Sequence, residues 1–327
     1  MKKIVSLMMV FAMLFAVAAC AAPTDTAAVV EPEATASEPA VTEEPAADAK
    51  TEKEVLIGLL VYNDKNEFIQ KLIAGAQAKC DEYGYKLVSY SADKDAATEI
   101  TNMEDLISLK PDVILYNPVD SDAAEATVGL ANAANIPVIT VDRVANGGAV
   151  VSHVASDNVF GGKLAGEYIV ELLGEAGGQV VEIQGQAGTS AARDRGEGFH
   201  GVVDGNSAIS VVVSQIGNWD KAEGMTVMEN ALQAYPEIKA VFAHNDTMAM
   251  GAMEAAQAAN RGDIIIVGFD ADDDAVQAVK DGKLAATIAQ QPELMGGRGV
   301  ELANQYLNGK TIAAAEAVEV TLIKTKG

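Results

Sequence analysis

Two cysteines, three histidines and a deficit of cations set the first limits on this sequence. With only Cys20 and Cys80 available, no disulfide framework can hold the fold and no thiolate cluster can bind zinc. His153, His200 and His244 are scattered without metal-ligand spacing, so no metal is expected. Lysine and arginine number 23 against 47 aspartates and glutamates, a formal net charge of −24. A chain that acidic argues against nucleic acid or anionic lipid as a partner, because both bind basic faces. Nucleotide loops are missing too: neither GK[ST] nor GxGxxG stands in the loop after the first apolar strand pattern.

What is present begins at the front. MKKIVSLMMVFAMLFAVAAC places two lysines before an apolar run that ends in small residues, the pattern of a secretory signal peptide over residues 1–20. The run is short for a transmembrane span, and a polar segment follows it directly. Val17-Ala18-Ala19-Cys20 resembles a bacterial lipobox, which implies lipidation of Cys20 and an exported chain held on the outer face of the cytoplasmic membrane. Residues 21–53 are rich in Ala, Thr, Pro and Glu and have no aromatic residue. Such a segment cannot bury enough apolar surface to offset its ordering entropy, so it reads as an acidic tether.

From residue 55 short β-branched apolar runs alternate with longer helical patterns. VLIGLLVY (55–62), KLVSY (86–90), DVILYN (112–117), PVITVD (137–142), QVVEIQG (179–185), ISVVVSQ (209–215), AVFAHN (240–245) and IIIVGFD (264–270) read as strands. Near-continuous apolar runs are what strands covered on both faces look like. Residues 66–84 and 158–174 are apolar at helical spacing and end in glycine. The class is α/β with parallel sheets, and this many strands fit either one barrel or two open sheets. In both, ligands bind beyond the carboxyl ends of the strands. Those ends carry hydrogen-bonding residues: Asn117, Asp142 with Arg143, Asn245, and Asp270 after Phe269.

Other suggestive residues have plainer readings. Asp270, Asp272, Asp273 and Asp274 do not follow an EF-hand spacing, and Asp272 or Asp273 is expected to cap the next helix. Ser190 stands in GTSAA, which is not a nucleophile elbow. Cys80 and the methionines at 225, 228, 248, 250 and 253 fall in helical patterns and read as packing. Asp142 and Asp270 could in principle form a hydrolytic carboxylate pair, which a search for reaction products would reveal.

LYNPVDSDA, PVITVDRVANGGAVVSHVASDN, GQAGTSAARDRGEGF, HNDTMAMGA and IIIVGFDADDDAVQAVKDGKLAATIAQQP together resemble the bacterial ribose-binding and related periplasmic sugar-binding proteins, over residues 54–327. The resemblance implies a type I periplasmic binding fold, with two open parallel, Rossmann-like α/β lobes joined by three crossing segments. Lobe one would hold 54–156 and 291–319; lobe two would hold 157–290 and the last strand, 320–327. It implies no enzyme and no cofactor, but a monomeric receptor that delivers sugar to an ABC permease. A sensor-only receptor feeding a chemoreceptor or a histidine kinase is the alternative. Sugar-responsive repressors share the fold, but they begin with a helix-turn-helix where this chain has a signal peptide.

Family binding positions fall on Asn66, Phe68 and Ile69 after the first strand, and on Asn117, Asp142 and Arg143 in lobe one. In lobe two and the hinge they fall on Arg195, Trp219, Asn245, Phe269, Asp270 and Gln290. Sugar hydroxyls both donate and accept, so carboxylates would accept from them, arginines and amides would donate, and Phe68 and Trp219 would cover apolar ring faces. Arg195 thus reads as a sugar ligand, with Arg193 turned away from it on the helix. Ile69 replaces a second phenylalanine of the ribose pattern, Glu67 replaces a proline, and Trp219 replaces a smaller phenylalanine. Those changes suit ribose with compensating volumes, or another pentose, a hexose or a pentitol.

Overall fold

The computed structural model describes residues 54–325. The signal sequence, Cys20 and the tether lie outside the described residues.

The first part of the chain alternates β1 (Leu56–Val61), α1 (Glu67–Tyr83), β2 (Lys86–Ser91), α2 (Ala96–Ser108), β3 (Val113–Tyr116), α3 (Ala124–Ala133), β4 (Val138–Val141) and β5 (Ser152–Ser156). The pattern repeats with α4 (Asn158–Leu173), β6 (Gly178–Gln184), α5 (Ser190–Val203), β7 (Ile209–Ile216), α6 (Lys221–Ala234) and β8 (Ile238–Ala243). It continues through α7 (Asp246–Ala258), β9 (Ile265–Asp270), α8 (Asp273–Lys280) and β10 (Ala286–Ala289), then α9 (Pro292–Leu307), β11 (Ala315–Val318) and β12 (Thr321–Lys324).

These strands form two six-stranded sheets, β2-β1-β3-β4-β5-β11 and β7-β6-β8-β9-β10-β12. The first is parallel throughout, and in the second only β12 runs antiparallel, against β10. Two open sheets are therefore present and not a barrel. Each has the doubly wound order in which the chain leaves its first strand to one side and returns on the other, so each has a switch point beside β1 or β6.

Burial explains the apolar runs. Every residue of β3 and β4 is buried, and β1 is buried from Ile57 onward, because helices cover both faces. Strand β5 (SHVAS) has no such run and sequence patterning passes over it. Its polar atoms are satisfied inside the sheet: Ser152 Oγ donates to the Ala313 carbonyl at 2.8 Å, and His153 Nδ1 lies 2.9 Å from Thr140 Oγ1. Strands β10 and β11 are only four residues each and were likewise not legible as strands.

Glycines let helices approach at backbone distance. A methyl placed on Gly162 of α4 would stand 2.8 Å from the Arg195 carbonyl carbon of α5, and the carbonyl oxygen is closer still. Gly198 of α5 meets the Val159 carbonyl in the same crossing. Helices α1 and α9 touch through Gly75 and Gly296 in the same manner. Cys80 is buried in the core of the first half, and burial pushes its thiol up to about 12, as suits a packing residue.

Candidate functional site

Strand ends of both sheets deliver residues to one cleft. Tyr62 and Asn66 follow β1, Asp142 and Arg143 follow β4, Trp219 follows β7, Asn245 follows β8, and Asp270 ends β9. With Phe68, Ala191, Arg195 and Gln290 they line a cleft of about 320 Å³.

The two halves touch on both sides of this cleft. Ser121 N–H donates to the Gly188 carbonyl at 3.0 Å, Ser190 N–H to Ser121 Oγ at 3.1 Å, and Val144 N–H to Ser190 Oγ at 3.1 Å. At the other rim Lys71 Nζ of α1 lies 3.5 Å from Asp273 of α8. Arg193, outside the cleft lining, lies 3.6 Å from Asp122 across the rim.

Local backbone fixes the polar groups. Asn66 and Asn245 are the N-caps of α1 and α7, their Oδ1 atoms accepting from Ile69 N at 3.2 Å and Met248 N at 2.9 Å. Capping commits each carbonyl to the helix and leaves each Nδ2 without a partner among the described residues. Asp142, Trp219 and Asp270 have φ of 63°, 59° and 123°, a region that side-chain-bearing residues rarely adopt. Each such residue costs on the order of 1–3 kcal/mol, and their concentration here is the kind of strain that functional sites hold.

Two buried arginines face two buried aspartates, so the lining is balanced in formal charge. Arg143 Nη1 donates to the Pro118 and Val119 carbonyls at 3.1 Å, and its guanidinium lies 3.7 Å from the Tyr62 ring centroid. Arg195 Nε donates to Asn158 Oδ1 at 2.9 Å and Nη1 to the His244 carbonyl at 2.5 Å. Its guanidinium stacks 3.7 Å from the Phe269 ring and stands 3.5 Å from Asp270. Asp142 Oδ2 accepts from Asn117 Nδ2 at 2.8 Å. Gln290 ties the halves together: its Oε1 accepts from Ser156 Oγ at 2.6 Å while its Nε2 donates to Asp270 Oδ1 at 2.6 Å. Burial pushes the Asp270 carboxyl well above its ordinary range, with Arg195 opposing.

A second polar system lies beneath the lining. Glu182 of β6, fully buried, accepts from Ser214 Oγ at 2.5 Å and Gln184 Nε2 at 3.0 Å. Its oxygens also lie 3.0 Å from His244 Nε2 and 3.2 Å from His200 Nε2. Burial pushes this carboxyl up, but the hydrogen bonds from His244 and Ser214 and the charges that His244 and His200 carry in acid outweigh it and bring it down to about 2. Burial also pulls His244 below its ordinary value. The ring is therefore neutral at pH 7 and donates Nε2–H to the ionised Glu182.

Of the residues expected from sequence, Asn66, Phe68, Asp142, Arg143, Arg195, Trp219, Asn245, Asp270 and Gln290 line the cleft. Ile69, Asn117 and Phe269 stand behind it. Ile69 is fully buried among the apolar residues of the first half, Asn117 positions Asp142, and Phe269 backs Arg195. Tyr62 and Ala191 line the cleft without having been expected. For Tyr62 the strand-end rule was a usable signal, whereas Ala191 has no polar group to announce it. The acidic run at 270–274 forms no metal cluster: among the described residues no three His, Cys, Asp or Glu are placed to hold an ion. Asp272 is the N-cap of α8, but its side chain makes no capping bond.

Matched open sheets, a cleft between their carboxyl edges and a lining of paired polar groups define a solute-binding receptor. The chain belongs to the periplasmic binding protein family, whose domain model matches residues 57–311. It is 46% identical over 267 residues to the ribose import binding protein of Escherichia coli, covering 82% of this chain and 90% of that protein. It is 36% identical over 238 residues to a D-apiose import binding protein of Actinobacillus succinogenes, covering 72% and 76%. An ABC transporter solute-binding protein of Mycobacterium smegmatis with bound glycerol superposes with a TM-score of 0.79 at 33% identity, covering 83% of this chain and 94% of that one. The family consists of extracytoplasmic binding proteins that work with the membrane components of ABC transporters, and not of enzymes. Among the described residues no helix is long and apolar enough to cross a membrane.

Proposed function

We propose that this chain captures a monosaccharide, D-ribose in the first instance, between its two sheets and presents it to an ABC permease. The observation that carries the reading is the inventory of unpaired groups in the cleft. Asn66 Nδ2, Asn245 Nδ2, Nη2 of Arg143 and Arg195, the Tyr62 hydroxyl and Trp219 Nε1 have no partner among the described residues. Asp142 Oδ1 and Asp270 Oδ2 are the matching acceptors. An uncharged polyol ring suits that set: each hydroxyl donates once and accepts more than once, and a ring oxygen only accepts. Phe68 and Trp219 supply apolar surface for ring carbons.

On this reading Asn66, Phe68, Asp142, Arg143, Arg195, Trp219, Asn245, Asp270 and Gln290 contact the sugar, while Ile69, Asn117 and Phe269 support that lining from behind. The lobes are 54–156 with 291–319 and 157–290 with 320–327, closing on the sugar as a monomer. A lipid on Cys20 and the 21–53 tether would hold the receptor at the outer face of the cytoplasmic membrane. Isothermal titration against pentoses, hexoses and pentitols tests the assignment. One-to-one binding of ribose tighter than the others supports it. Preference for another sugar moves the specificity, and silence across the set overturns the sugar reading.

A further inference from the structure

Two lining residues, Tyr62 and Ala191, stand outside the positions expected from sequence, and of the two only Tyr62 carries a polar side-chain group. Tyr62 closes β1, is 5% exposed, and faces the cleft beside Arg143. Its backbone N–H donates to Asn117 Oδ1 at 3.3 Å, the same side chain that holds Asp142. The ring is therefore anchored to the lining from behind. The Trp219 indole of the second half stands 5.8 Å from the same Arg143 guanidinium, so two aromatic residues from opposite halves flank one cation.

The hydroxyl is the unexplained part. It makes no hydrogen bond to any described residue, and in contrast to the Tyr116 hydroxyl it is not sealed into the core. Burial pushes the phenol up to about 12, so it keeps its proton over the whole physiological range. A protonated phenol in a closing cleft has a hydrogen to donate to a ligand oxygen. A strand end of this kind would hold Arg143 equally well with phenylalanine, whose ring offers the same face to the guanidinium.

We propose that Tyr62 is a specificity-determining residue whose hydroxyl donates to one oxygen of the bound sugar while its ring holds the Arg143 guanidinium in place. This rests on the sugar reading above and deepens it. The consequence is discrimination at a single oxygen: a ligand lacking it leaves a buried donor unmatched and binds less well.

The test is a cycle of protein and ligand changes, read by isothermal titration. The full chain and its Tyr62→Phe variant are titrated with the best sugar of the panel and with each monodeoxy analogue of it. The hydroxyl's loss should weaken the parent sugar roughly three- to tenfold, the range of one neutral hydrogen bond. For the analogue that lacks the contacted oxygen, the two proteins should differ by less than about twofold, because the interaction is already gone. Equal losses for every analogue would make Tyr62 only a structural support and overturn the proposal. Unchanged affinity for the parent sugar would overturn it as well, with the sugar reading intact. If the unaltered chain binds no sugar, the underlying reading falls, and the proposal with it.

Discussion

Replacing Gly162 by alanine should separate two helices and disable a ligand group at once. Gly162 sits on α4 where it meets α5, and an added methyl would lie 2.8 Å from the Arg195 carbonyl carbon and 3.0 Å from its Cα. Ordinary contact begins at 3.4 Å, and the obstacle is backbone, which cannot swing aside as a side-chain tip could. Overpacking of this type costs about 1–3 kcal/mol. The retreat falls on the residue whose guanidinium is held at 2.9 Å by Asn158 and at 3.7 Å by Phe269. Urea unfolding should therefore show a loss of that size, and calorimetry should show sugar affinity reduced at least about tenfold. Gly201, on the same helix α5, supplies the control: an added methyl there meets nothing within 4 Å. Gly201→Ala should gain about 0.4–1 kcal/mol through the unfolded state and leave affinity unchanged. A Gly162→Ala protein with full stability and full affinity would refute the claim that this crossing positions Arg195.

Two carboxylates give opposite pH dependences. Glu182 is depressed to about 2 from 4.5, so its ionised form stabilises the fold above pH 4.5 and that contribution is lost as pH falls toward 2. Glu182→Gln should therefore lose on the order of 3 kcal/mol at pH 7 and flatten the acid limb, seen by circular dichroism. Equal stability of the two proteins at pH 7 would contradict this. Asp272 is raised to about 6, by burial first and then by Glu67 of α1, with Lys71 opposing and Asp273 and Asp274 adding to the rise. A raised carboxyl means the folded state holds the proton longer, so stability falls as pH rises from about 4 through 6. Asp272→Asn should remove that fall and raise the melting temperature at pH 7; an unchanged pH profile would count against it.

The legible parts of the molecule were those where one residue type carries one meaning. Apolar strand runs announced the covered strands, and polar residues just past them announced Asp142, Arg143, Asn245 and Asp270. Strand β5 stayed hidden because its Ser and His satisfy themselves against Ala313 and Thr140, partners that only the folded chain supplies. Tyr62 stood at a strand end, where the rule for ligand residues applied, but an aromatic residue closing an apolar run also reads as core until its hydroxyl is seen beside a cleft. Glu182 and His244 are 62 positions apart, and no local pattern links a glutamate in one strand to a histidine beyond another. Ile69 shows the converse, a family position whose side chain here turns into the core.

Helix α9 and strand β11 complete the first sheet's half although they are made near the end of the chain. Tyr85 donates to Asn304, 219 positions later, and β11 pairs with β5 only after the whole second sheet but its last strand has been laid down. During synthesis, then, the amino-terminal half exists for most of the time without one of its helices and with an open sheet edge. Long-range closures of this kind delay folding, because loop entropy must be overcome before the contacts form. For an extracytoplasmic protein such a delay favours passage across a membrane before the chain becomes compact.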